Sequence, residues 1–68
     1  MSKAERLKLF KEFAKQKTRW SKVTLNAVKD VMVNGYSQTS VAQEYNIHKQ
    51  AVNRAVMKYR AYLSFSLK

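Results

Sequence analysis

The sequence predicts a small all-α domain of four helices built around a helix-turn-helix. Three observations lead there. Apolar residues recur at spacings of three and four through successive segments, the period of a helix rather than a strand. Proline is absent and glycine occurs once, which leaves little material for tight turns. The stretch Gln38 to Met57, QTSVAQEYNIHKQAVNRAVM, has the apolar and small positions of two short helices crossing at a sharp turn.

The elements follow in order, at about 3–16, 22–33, 38–45 and 49–62. Ser2-Lys3-Ala4-Glu5 fits a capping box, in which a hydroxyl and a Glu three residues on satisfy the first free N–H groups of a helix. At about 100° per residue, Leu7, Leu9, Phe10, Phe13 and Ala14 share one arc, with Lys8, Lys11 and Lys15 opposite. Trp20 joins the apolar arc if that helix runs on. There it is a plug between helices in the simpler reading and a platform for bases in the other. In the second helix Val23, Ala27, Val28, Val31 and Met32 form the buried stripe, and Asn34-Gly35 ends it at a place that wants positive φ. Ser37 caps the third helix. Asn46 tolerates the left-handed backbone of a sharp turn into the fourth. Beyond it Leu63, Phe65 and Leu67 alternate with Ser64 and Ser66, a period of two that fits a short extended C-terminal tail. No linker or internal repeat divides residues 1–68, so one domain is expected.

Sixty-eight residues suffice for one small core and nothing beside it. The chain has no cysteine, so neither a disulfide nor a thiolate metal cage supports the fold, and a reducing compartment is expected. One histidine and four scattered acids, Glu5, Glu12, Asp30 and Glu44, make no acid–base pair and no metal site. No enzyme activity, cofactor or small-molecule ligand is therefore expected. No apolar run approaches the length of a membrane span. The expected location is the bacterial cytoplasm, on the nucleoid.

Charge carries the strongest functional signal. Fourteen Lys and Arg against four acids give a net charge of +10, which points to a polyanionic partner. The charge is concentrated at the two ends: residues 1–22 carry +6, residues 23–47 carry −1 and residues 48–68 carry +5. A surface charged only for solubility would mix the signs; here two basic ends flank a neutral middle, as if two places touched one anion.

In the helix-turn-helix, Ala42 supplies the small residue where the helices cross. Val41, Tyr45, Ile47, Val52, Ala55 and Val56 supply the core positions, and Asn46 stands where glycine is usual. Around the fourth helix, Lys49, Arg60, Asn53, Met57, Gln50 and Arg54 occupy an arc of about 140°. Ala51, Val52, Ala55, Val56, Tyr59, Tyr62 and Leu63 fall opposite. Arg donates two bonds to guanine, and Asn or Gln pairs bidentately with adenine. An ordinary solvated face would hold Glu–Lys pairs, whereas this helix has no acid.

From Val23 to Leu63 the chain resembles the DNA-binding domain of the TrfB/KorA plasmid repressors. The resemblance rests on Met32-Val33-Asn34-Gly35 at the end of one helix, Gln38 with Ala42 on the next, and Ala51-Val52-Asn53-Arg54-Ala55-Val56 on the last. The preceding amphipathic helix matches in placement. Pilus regulators of the PapB type and Cro-type regulators are more distant look-alikes. The resemblance implies a transcriptional repressor of a plasmid or phage. In the TrfB/KorA proteins a further C-terminal segment dimerises, and Ser64 to Lys68 is the stretch that would take its place.

The N-terminal part of a recognition helix meets base edges, and the helix before it approaches the backbone. Lys49, Gln50, Asn53 and Arg54 are accordingly expected to contact bases. Ser37, Gln38, Thr39, His48 and Lys58 are expected to contact phosphates, with His48 as a weak helix cap in the alternative reading. Tyr36 either packs or reaches a phosphate, and Lys8, Lys11 and Lys15 form either a solvated face or a second phosphate surface. Leu63, Phe65 and Leu67 are expected to form a dimer contact, against the alternative of a disordered tail. The expected partners are double-stranded DNA with a palindromic operator and a second copy of the chain. A nonspecific nucleoid-type or RNA-binding protein explains the charge alone, and a basic amphipathic membrane peptide explains the first helix alone.

Overall fold

Three serines set where three helices begin. Ser2 opens α1 (Lys3–Gln16): its hydroxyl accepts from the Glu5 N–H at 3.2 Å and donates to Glu5 Oε1 at 3.2 Å. The Glu5 carboxylate thus takes the serine hydroxyl rather than the serine N–H of an ideal capping box. Ser21 opens α2 (Lys22–Met32), accepting from the Thr24 N–H at 3.2 Å. Ser37 opens α3 (Gln38–Glu44), accepting from the Ser40 N–H at 3.1 Å. Each cap is worth about 1 kcal/mol. The last helix, α4 (Lys49–Ser66), starts from the His48 carbonyl, which accepts from Ala51 at 3.0 Å and Val52 at 3.3 Å. These ranges come from a computed structural model that describes residues 2–17 and 19–66. The described residues form an all-α, four-helix domain without strands.

The helix ends use the two left-handed positions foreseen. After α2 the Lys29 carbonyl accepts from Val33 at 2.8 Å and Asn34 at 3.2 Å, and the Tyr36 N–H reaches back to the Asp30 carbonyl at 3.0 Å. That wide turn requires Gly35 at φ 80. After α3 the Ile47 N–H donates to the Ala42 carbonyl at 3.0 Å and the Asn46 N–H to Gln43 at 3.3 Å. This double bond pattern is a Schellman motif with Asn46 at its left-handed position, φ 55.

The core gathers Phe10 and Phe13 of α1, Ala27, Val28 and Val33 around α2, Val41 and Ala42 of α3, and Val52, Ala55, Val56 and Tyr59 of α4. Phe13 is its aromatic hub. Its ring meets Tyr59 at 4.9 Å, Trp20 at 5.2 Å and Tyr62 at 5.2 Å, all edge-on. Helix α4 packs on α2 and α3, and α1 packs on α2.

The structure corrects four expectations. The expected extended tail is absent through Ser66, because Tyr62 and Leu63 continue the helical stripe Val52, Ala55, Val56, Tyr59 onto the core. Leu67 lies outside the described residues. Val23 is 41% exposed; Leu25 packs against the core from the same helix turn in its stead. Ala51 stands at the edge of the buried stripe and is exposed. Trp20 is not on a helix. α1 has already ended at Gln16, and the chain folds back through a Trp20 N–H to Lys17 carbonyl bond of 3.1 Å.

Candidate nucleic-acid interface

The helix-turn-helix is braced from behind by hydrogen bonds to Asp30. Asp30, in the last turn of α2, accepts from Tyr45 Oη at 2.6 Å and from Asn34 Nδ2 at 2.9 Å. One carboxylate therefore ties the end of α2 to the end of α3 beside the turn into α4. The hydrogen bond to Asp30, followed by burial, pushes the Tyr45 hydroxyl up to about 12, so it stays a neutral donor through the physiological range. Tyr45 was foreseen as a core position; its hydroxyl chemistry was not, because Asp30 lies on another helix.

That scaffold presents the outer face of α4. Lys49, Gln50, Asn53 and Arg54 are all exposed, and so is Lys58 one turn beyond Arg54. The buried residues of α4 all lie on the other side, so the packing orients the polar arc outward. Lys49 and Arg60 mark its ends along the axis, about 16 Å apart at 1.5 Å per residue. Met57, on the same arc, is 60% exposed and touches Asn53 through an Nδ2–Sδ contact of 3.7 Å. The exposed thioether and the amide thus set an apolar and a polar group side by side on this face. Sequence reasoning placed Met57 on the arc without giving it a role.

Around the start of α3 the expected phosphate contacts divide. Thr39 is exposed and Gln38 half-buried. The Ser37 hydroxyl is committed inside the cap, accepting from the Ser40 N–H and donating to Ser40 Oγ at 2.9 Å. Ser40, exposed and with its own hydroxyl hydrogen uncommitted, is the better placed of the two; only the cap geometry reveals this. His48 is exposed at the mouth of α4. Tyr36 is 54% exposed between α2 and α3, so its ring does not pack in the core.

Leu63 is half-buried against the core, whereas Phe65 is 80% exposed near the end of α4. The two therefore do not form one strip. Among the described residues no three His, Cys, Asp or Glu side chains gather as metal ligands, and no helix is long and apolar enough to cross a membrane. Comparison with protein-family models, curated proteins and solved structures finds no match to this chain.

Proposed function

We propose that the chain is a sequence-specific, double-stranded DNA-binding repressor of transcription, of plasmid or phage origin and of the TrfB/KorA kind, with α4 seated in the major groove. The observation that carries the reading is the outer face of α4: Lys49, Gln50, Asn53 and Arg54 exposed together, with no acid on the helix. A helix with its side chains is about 10–12 Å across, and the major groove is about 12 Å wide. Lys49, Gln50, Asn53 and Arg54 read base edges, while Gln38, Thr39, His48 and Lys58 hold phosphates, with Ser40 beside them. Repression follows from occupying a promoter, the protein acting in the bacterial cytoplasm without cofactor or catalysis.

One such helix reads only a few base pairs, so two copies are needed to specify a site. The proposed unit is a homodimer on a palindromic operator, with half-sites about one helical turn or 34 Å apart. Its contact is placed at the C-terminal end of α4, where Phe65 is 80% exposed.

Selection of binding sites from a random duplex pool tests the reading. The expected outcome is enrichment of one symmetric motif, followed by repression of a reporter carrying it in the promoter. Binding without any enriched motif would leave the nonspecific, charge-driven reading in its place.

A further inference from the structure

Beside α4 the fold forms a second basic feature that lies outside the helix-turn-helix. A groove of about 380 Å³ runs between the start of α2 and the middle of α4, with Arg19, Ser21 and Thr24 on one wall and Ala51, Arg54 and Lys58 on the other. We propose that this groove is a track for one phosphate strand of the duplex whose major groove α4 reads. The proposal rests on that reading of α4 and adds to it a backbone-binding wall supplied by the α1–α2 turn.

Three arguments support the track. First, it draws cations from distant parts of the sequence. Arg19 precedes α2 and Lys58 lies on α4, yet both line one groove together with the proposed base reader Arg54, and none of Glu5, Glu12, Asp30 or Glu44 lines it with them. Converging like charges costs the free protein stability, and a polyanion relieves that cost. Second, hydroxyls accompany the cations. Ser21 Oγ and Thr24 Oγ1 share one hydrogen bond of 3.0 Å, which commits a single hydroxyl hydrogen and leaves the other to donate to a phosphate oxygen. Third, the groove continues. An adjoining depression shares Arg19 and Trp20 with it and adds Lys17 and Gln16, so the basic lining extends as a strip that suits a chain of phosphates better than one anion. The exposed methyl of Ala51 keeps the α4 wall low, which explains why a small residue sits at the edge of the buried stripe.

The track also differs from a second groove among the described residues. That one, between α1 and α2, has an apolar floor of Leu7, Phe10 and Leu25 under Lys11, Lys22 and Lys29, and it includes no residue of α4.

Fluorescence anisotropy with the selected duplex and with a random duplex, over a range of salt, tests the track. Arg19 is exposed, so Arg19→Ala leaves the fold intact, with circular dichroism as the check. The expected result is a loss of roughly tenfold near 0.1 M salt, equal for both duplexes, with the salt slope lowered by about one. Trp20, the single tryptophan, lines the groove, so its emission changes when the unaltered protein is saturated with duplex. Gln50→Ala is the control, since it alters preference at one base pair. If Gln50→Ala shifts preference while Arg19→Ala keeps wild-type affinity and slope, the track is overturned and the reading of α4 stands. If the unaltered protein binds no duplex, both fall.

Discussion

Asn46 shows how one side chain sets the angle between two helices. Its φ of 55 is a left-handed conformation that costs an ordinary L-residue about 1–2 kcal/mol, a cost smaller for Asn and absent for Gly. Asn46→Ala is therefore expected to lower stability by about 1 kcal/mol in urea unfolding, whereas Asn46→Gly keeps or raises it. Beside it, Tyr45 supplies a pH-dependent contribution. Its folded pKa of about 12 lies above the ordinary value of 10. The stabilisation is then complete below pH 10 and lost as pH rises through about 12. Tyr45→Phe should be less stable at neutral pH and lack this component of the alkaline decline, measured by thermal melts from pH 8 to 12. On α4 the expected distinction is between reading and holding. Gln50→Ala or Arg54→Ala should cost about 1–3 kcal/mol and relax preference at one base pair, while Lys58→Ala should weaken all sequences alike. An Arg54→Ala variant that binds every sequence more weakly with unchanged preference would remove Arg54 from the base-reading set.

Among the elements, α3 is the shortest and depends most on its surroundings. Its seven residues are too few for a helix to persist alone, so it relies on the Ser37 cap, the Asn46 turn and the burial of Val41 and Ala42. Ala42 is buried among the core residues that α2 and α4 also supply, which leaves no room for a larger side chain. Ala42→Leu should cost about 1–3 kcal/mol through overpacking, with the loss of DNA affinity exceeding the loss of stability because α4 is re-angled. Parallel measurement of urea midpoints and duplex affinity would show whether the two effects separate.

At the scale of the whole molecule, net charge and the proposed assembly on DNA are open to test. If α4 reads DNA as proposed, a +10 chain without an acid on that helix should lose affinity for duplex steeply as salt rises. Assembly is expected to depend on Phe65, because Leu63 already packs on its own core. Removing residues 63–68 would thus damage the fold as well as any dimer, and Phe65→Glu is the cleaner change. It should reduce the complex from two chains per operator duplex to one, as read by analytical ultracentrifugation, with circular dichroism of the free protein as the check on folding. Two chains bound per duplex by Phe65→Glu would place the contact elsewhere.

The sequence by itself determined what depends on local spacing and local chemistry. The Ser2 and Ser37 caps, the left-handed Asn46 and Gly35, the four helices and the polar arc of α4 were legible because each is decided within a few residues by hydrogen bonding, backbone sterics or a period of 3.6. The stripe Val52, Ala55, Val56, Tyr59, Tyr62, Leu63 was also legible, and it outweighed the alternation of Leu63, Phe65 and Leu67 that suggested an extended tail. Tertiary structure alone decided what depends on packing between segments: that Leu25 and not Val23 faces the core, that Trp20 closes on Phe13 from a turn, and that Asp30 holds Tyr45. It alone placed Arg19 beside Arg54 and Lys58. Arg19 is far from the other two along the chain, so no spacing rule couples it to them; they meet because the aromatic hub around Phe13 draws α1 and its following turn against α4.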